Sequence, residues 1–133
     1  MPTPKQVIVM RKDLGMRKGK MIAQGAHASL KVVLDRGAIR RDGDGDGATL
    51  TVALTPAMTA WLTERFTKVC VSVGSEEELV AIYQRAVDAG VPAAMIVDAG
   101  HTEFHGVPTR TCCAIGPAWV EEVDAITGAL PLL

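Results

Sequence analysis

Aromatic side chains are scarce in this chain: two Trp, one Tyr and two Phe among 133 residues. Its core must therefore be aliphatic. Cysteine is scarce too, with Cys70 inside an apolar run and an adjacent pair at Cys112 and Cys113. Three such residues exclude a paired disulfide framework and lack the two-residue spacing of a zinc signature, so a reducing, cytoplasmic compartment is expected. No apolar run approaches 18 residues, and a strand-like segment begins by Lys5, leaving no room for a signal peptide. No membrane partner is expected. A glycine-rich phosphate loop is also missing: Gly15 and Gly19 have the wrong spacing, and no GxGxxG follows a strand.

What is present is a globular mixture, 48% apolar and 22% charged, of a length that suits one domain over residues 1–133. The net charge of -1 conceals a split. Residues 1–41 carry ten Lys or Arg against two Asp (+8), and residues 42–133 carry four basic against thirteen acidic residues (-9). An anionic partner is thus to be sought at the N-terminal third.

Lys5 to Arg11 (KQVIVMR) has the branched aliphatic run of a buried strand, and Lys12 to Gly19 supplies a charged turn. From Lys20 to about Leu34 the spacing predicts a helix. Ile22, Ala26, Ser29 and Val33 share one face with Leu30 beside it, while Lys20, Gln24, His27 and Lys31 form a narrow polar stripe. Arg36 to Gly47 reads as a turn-rich loop, Ala48 to Leu54 as a short strand, and Thr55 with Pro56 as the start of a helix through Arg65. Thr67 to Val73 is a strand, and Ser75 with Glu78 makes a capping box before Leu79, Ile82, Tyr83, Ala86 and Val87. Pro92 to Val97 and Arg110 to Ile115 are further strands, after which Gly116 and Pro117 open a helix to about Ile126. Strands that alternate with helices and lack polar alternation predict an α/β fold, a mixed, mostly parallel sheet with helices packed on both faces.

Two weak motifs carry little. Asp42, Asp44, Asp46 and Gly47 match the start of a calcium loop, but Ala53 stands where its bidentate glutamate belongs, so a solvated acidic loop is the better reading. His101, His105, Cys112 and Cys113 are soft ligands on paper, yet adjacent cysteines do not easily share one tetrahedral ion.

The stronger constellation is the strand-to-helix junction at Arg17, Lys18, Gly19 and Lys20, where cations and unpaired helix N–H groups suit a phosphate. An ordinary exposed amphipathic face is the alternative, although His27 is unusual company for one. Asp98 ends a strand and Thr102 follows it, and open α/β sheets place sites beyond such carboxyl ends. A loop-capping aspartate with a locally bonded threonine is the alternative there.

RKDLGMRKGKMIAQGAHAS (Arg11 to Ser29), the segment from Thr67 to Thr102 that ends in DAGHT, and the later TRTCCAIGP and VDAITG resemble the peptidyl-tRNA hydrolase 2 family over nearly the whole chain. The resemblance implies a small mixed sheet packed by helices, commonly in a homodimer, that hydrolyses the ester joining a peptide to tRNA without a required metal or organic cofactor. It implies catalytic roles for Lys18, Gln24, His27, Asp98 and Thr102, with Asp98 orienting water beside Thr102 and Lys18 stabilising negative charge. Arg11, Arg17, Lys20, Lys31, Arg40 and Arg41 are candidate contacts to the tRNA backbone, gripping by charge rather than by stacking.

The chain departs from the family pattern at His101 and Glu103, where arginine and glutamine are common, and at Ala129 and Pro131, where histidine and lysine are. The Asp42 to Gly47 loop also looks inserted. A tRNA- or RNA-binding protein without catalysis, or a hydrolase of a smaller ester or amide, are the competing functions. Turnover that depends on the tRNA body separates all three.

Overall fold

The computed structural model describes residues 2–100 and 104–133. Strands β1 (Pro4–Arg11), β4 (Lys68–Val73), β5 (Ala93–Asp98) and β6 (Thr109–Trp119) form one sheet in the order β4-β1-β6-β5. Neighbouring side chains on a strand point to opposite faces, and β1 uses both. Val7 and Val9 pack with Leu79, Ile82 and Ala86 of helix α3 (Glu76–Asp88) and with Val123 and Ile126 of helix α4 (Val120–Thr127). Ile8 and Met10 pack instead with Ala28 and Val32 of helix α1 (Lys18–Leu34). One aliphatic strand thereby serves two cores, which explains why it lacks polar alternation.

The α/β class and helices on both faces agree with the sequence, but the balance of strand directions is the reverse of the one expected. Only β1 and β4 pair in parallel, while β6 runs antiparallel to both β1 and β5. Burial on both faces makes an antiparallel interior strand as apolar as a parallel one, so composition could not separate them. β6 is also longer than expected and contains Gly116 and Pro117, with α4 starting only at Val120. Gly116 has φ +88°, and a Cβ there would sit 2.7 Å from the Lys5 carbonyl oxygen, beside a register shift between Lys5 and Val7. A glycine is required by that close approach, not by a helix start.

Arg36 to Gly47 is not simply a loop. Strands β2 (Gly37–Arg41) and β3 (Ala48–Val52) pair as a separate antiparallel ribbon, closed by Asp42 N–H donating to the Gly47 carbonyl at 3.0 Å. Helix α2 (Pro56–Thr63) then begins as the sequence predicts, with the Thr55 hydroxyl accepting from Met58 N–H at 3.1 Å. The Ser75 hydroxyl likewise accepts from Glu78 N–H at 3.1 Å, and the Glu78 carboxylate reaches back to Gly74 N–H at 3.1 Å. These caps meet orphan amides of each first turn.

In α1 the buried residues are Gln24, Gly25, Ala28 and Val32, whereas Ile22 and Leu30 of the predicted apolar face are 73% and 58% exposed. Small residues let the helix lie close on β1, where a Cβ on Gly25 would be 3.6 Å from Ile8. The larger apolar side chains project sideways, and Gln24 from the polar stripe turns inward.

Candidate functional site

At one end of the sheet, β1 and β5 finish, β6 begins, and the first turn of α1 stands over them. Here Lys20 Nζ lies 2.9 Å from Asp98 Oδ1, both side chains about one-seventh exposed at 14% and 15%. Gln24 Nε2 donates to the same oxygen at 3.3 Å, and Gly100 N–H donates to Oδ2 at 2.9 Å. The Gly100 turn has φ +86° and packs so tightly on residues 106 and 107 that a Cβ would fall 2.4 Å from the Val107 oxygen. Three donors from two segments thus converge on one carboxylate.

Hydrogen bonding from Lys20 is the largest influence on Asp98 and lowers its pKa below the usual carboxylate range; partial burial opposes this, and the Gly100 amide reinforces it. Asp98 is therefore ionised at neutral pH, an acceptor fixed in direction. The Lys20 ammonium also lies 5.6 Å from the centroid of the Phe104 ring, which walls that side.

Behind Asp98, the amide of Gln24 is held by a hydroxyl that no sequence motif singled out. Thr111 Oγ1 donates to Gln24 Oε1 at 2.5 Å, and Cys112 Sγ donates to the Gln24 carbonyl at 3.3 Å. Gln24 and Thr111 are 87 positions apart, and only the strand register of β6 brings them together. The TRT spacing put Thr111 on the same face of β6 as Thr109, but nothing in one sequence says that α1 covers that face.

The other candidates separate. Lys18 borders a groove on the far flank of α1, His27 is exposed midway along the helix beside Lys31, and Thr102, His101 and Glu103 lie outside the described residues. Arg11 is largely buried: it donates to both Asp13 oxygens at 3.0 and 2.6 Å and to the Arg110 carbonyl at 3.0 Å. That hydrogen-bonded pair raises the Arg11 pKa and lowers that of Asp13, and it pins the loop between β1 and α1. Arg17 is exposed at the start of α1, near Lys20. Lys31 pairs with Asp35 at 2.9 Å towards the other end of the helix, and Arg40 and Arg41 are exposed on β2 beyond it. Lys20 and Lys31 are eleven residues apart, roughly 16 Å along the helix axis. The basic candidates form two groups, not one.

Cys112 and Cys113 point into opposite cores, so the pair offers no common ligand position. Burial pushes the Cys112 thiol up to about 12 and raises that of Cys113 further. On the flank of α1 away from Asp98, a groove of about 760 Å³ is lined by Ile22, Ala26, Leu30, Trp61 and Phe66. Lys68 Nζ sits 3.1 Å from the Phe66 ring centroid and 4.7 Å from that of Trp61, its pKa lowered by burial.

Comparison with known proteins gives one family, described as Peptidyl-tRNA hydrolase PTH2, which matches residues 4–133. A peptidyl-tRNA hydrolase of Methanocaldococcus jannaschii is 45% identical over 129 residues, covering 97% of this chain and 99% of the relative. Those of Halobacterium salinarum (44% over 131 residues; 96% and 98%) and Sulfurisphaera tokodaii (42% over 129 residues; 97% and 98%) are similarly close. A solved structure from Agrobacterium tumefaciens strain C58, described as a protein of unknown function, aligns with a TM-score of 0.57 at 16% identity, covering 100% of this chain and 99% of that one. That last likeness concerns the fold alone.

Proposed function

Because the chain belongs to the Peptidyl-tRNA hydrolase PTH2 family, we propose that the crevice around Asp98 is where it works. The protein is a hydrolase of the ester bond that joins a peptide to tRNA. Water must add to the ester carbonyl, the resulting oxyanion must be stabilised, and the ribose oxygen must leave with a proton.

The observation that carries the assignment is the ionised Asp98 carboxylate with Lys20 at 2.9 Å. A carboxylate whose pKa is lowered is a weak base but a strong, fixed acceptor, so its role is to orient the attacking water rather than to remove its proton outright. Lys20 and the amides of the first turn of α1 supply positive charge where the oxyanion forms. We therefore assign charge stabilisation to Lys20, and assign Lys18, on the groove side of α1, to a substrate contact outside the crevice. Gln24 orients Asp98, His27 contacts substrate further along α1, and Thr102 keeps its hydroxyl role on the resemblance alone.

The assay is release of tRNA from an N-blocked aminoacyl-tRNA. Asp98→Asn should lower kcat by at least about a hundredfold, the scale of a lost electrostatic or acid–base group. Turnover near that of the unaltered protein would remove Asp98 from the mechanism, and salt-sensitive tRNA binding without turnover in the unaltered protein would favour a binding role.

Contact with tRNA through Arg17, Lys31, Arg40 and Arg41 is supported by their exposure and by the surplus of positive charge in residues 1–41. Arg11, being committed to Asp13, serves instead to hold the loop. A homodimer is supported by the exposed Ile22 and Leu30 beside the apolar groove, a surface larger than isolated apolar residues would make. Among the described residues no helix is long and apolar enough to cross a membrane. Work in translation, in the cytoplasm, follows from the substrate and accords with three free cysteines.

A further inference from the structure

We propose that Thr111 is a positioning residue for the hydrolysis, its hydroxyl anchoring Oε1 of the Gln24 amide and so holding Nε2 against Asp98. The inference rests on the role of Asp98 given above and adds a residue that neither the sequence motifs nor the crevice surface reveals. Thr111 is fully buried and Gln24 is 3% exposed, so no water competes for either amide end. A hydroxyl can donate or accept, but a glutamine amide has one end of each kind. The ionised Asp98 can only accept, so Nε2 is the end that faces its Oδ1, 3.3 Å away, and Thr111 Oγ1, 2.5 Å from Oε1, donates to the other end and anchors it. The opposite orientation would set a carbonyl oxygen against an ionised carboxylate.

The rest of the surroundings make this choice matter. Asp98 is faced by Lys20 from α1 and by the Gly100 amide from its own loop, and β6 presents Thr109 opposite it. Among the described residues Lys20 is the one charged group acting on it. Lys20 and Gln24 share Oδ1, whereas Oδ2 takes one amide donor from the described residues and keeps a lone pair to accept from water. Losing the Gln24 donor would let the carboxylate turn within the crevice and would remove one of its pKa-lowering hydrogen bonds.

Thr111→Val keeps the shape and deletes the donor; Thr111→Ser keeps the donor. With N-acetyl-aminoacyl-tRNA as substrate, Thr111→Val should lower kcat on the order of tenfold, as loss of a supporting hydrogen bond commonly does. KM should change little, the acid limb of the kcat–pH profile should move to higher pH, and Thr111→Ser should restore both. In a Gln24→Ala background Thr111→Val should cost nothing more, because the two act through one hydrogen bond. An unshifted acid limb in a folded Thr111→Val protein, or additive effects in the double variant, would overturn the proposal. Asp98→Asn, measured alongside, keeps the two readings apart: if it abolishes turnover while Thr111→Val behaves as the unaltered protein, only Thr111 is excluded.

Discussion

Asp98 is the residue to which the proposed mechanism assigns most of the chemistry, and its environment sets a pH dependence. Its folded pKa lies below the unfolded value because of Lys20, so the ion pair contributes stability above the ordinary carboxylate range. That contribution is lost as pH falls through the lowered folded value. The Arg11 and Asp13 pair behaves in the same sense. Asp98→Asn should therefore narrow the stability difference between pH 7 and pH 3 in thermal unfolding; an unchanged difference would show that the pair contributes nothing in solution. The cysteines allow a second test at this scale. Cys70 is exposed, whereas Cys112 and Cys113 are fully buried with raised thiol pKa values. Iodoacetamide at pH 7.5 should leave Cys112 and Cys113 of the native protein unmodified and add at most once, at Cys70, and intact mass will reveal any second addition.

The elements differ in how much of them a single sequence discloses. Caps are local, and Thr55 and Ser75 were readable because their partners lie three residues on. Thr55→Ala should accordingly destabilise the protein by about 1 kcal/mol in denaturant titration. Helix faces are less local. The spacing in α1 found an apolar face and a polar stripe, but which of them met the sheet depended on Gly25 and Ala28 being small enough to approach β1. As a result the spacing groups Gln24 with solvent-facing residues, although it is 3% exposed. Strand direction was not legible at all, because β1 and β6 are apolar on both faces whichever way they run. Of the β2 and β3 ribbon the sequence discloses β3, as the strand expected from Ala48, but not β2, for a related reason: an exposed strand has no buried face to leave a pattern. Gly100→Ala should disturb the loop that donates to Asp98, since the added Cβ meets Val107 at 2.4 Å with φ at +86°. Loss of activity with little loss of overall stability is the expected outcome, and unchanged activity would mean that the loop adapts.

For the molecule as a whole, the family segments point to the reaction and the candidate residues, while the three-dimensional arrangement places those residues at different parts of the surface. Lys20 is at the carboxylate, Lys18 is on the groove side, and Lys31, Arg40 and Arg41 lie towards the far end of α1. Two basic groups that far apart suit a substrate body that extends well beyond its ester. Replacing Lys31, Arg40 and Arg41 with Gln should weaken tRNA binding and flatten the logarithmic salt dependence by roughly one for each phosphate no longer neutralised. An unaltered slope would remove this end of α1 from the interface. Ile22→Glu and Leu30→Glu probe the other flank: if the apolar groove joins the proposed dimer, sedimentation should show a dimer for the unaltered protein and a folded monomer for these variants.

The most direct test of the central claim, that Lys20 and Asp98 together form the reaction centre, is single-turnover hydrolysis of N-acetyl-aminoacyl-tRNA by the Lys20→Met, Lys18→Met and Asp98→Asn variants at saturating enzyme. Lys20→Met and Asp98→Asn are each predicted to lose at least about a hundredfold in the chemical step, with Lys18→Met much less affected. A chemical step that survives loss of Lys20 and fails with loss of Lys18 would contradict that claim.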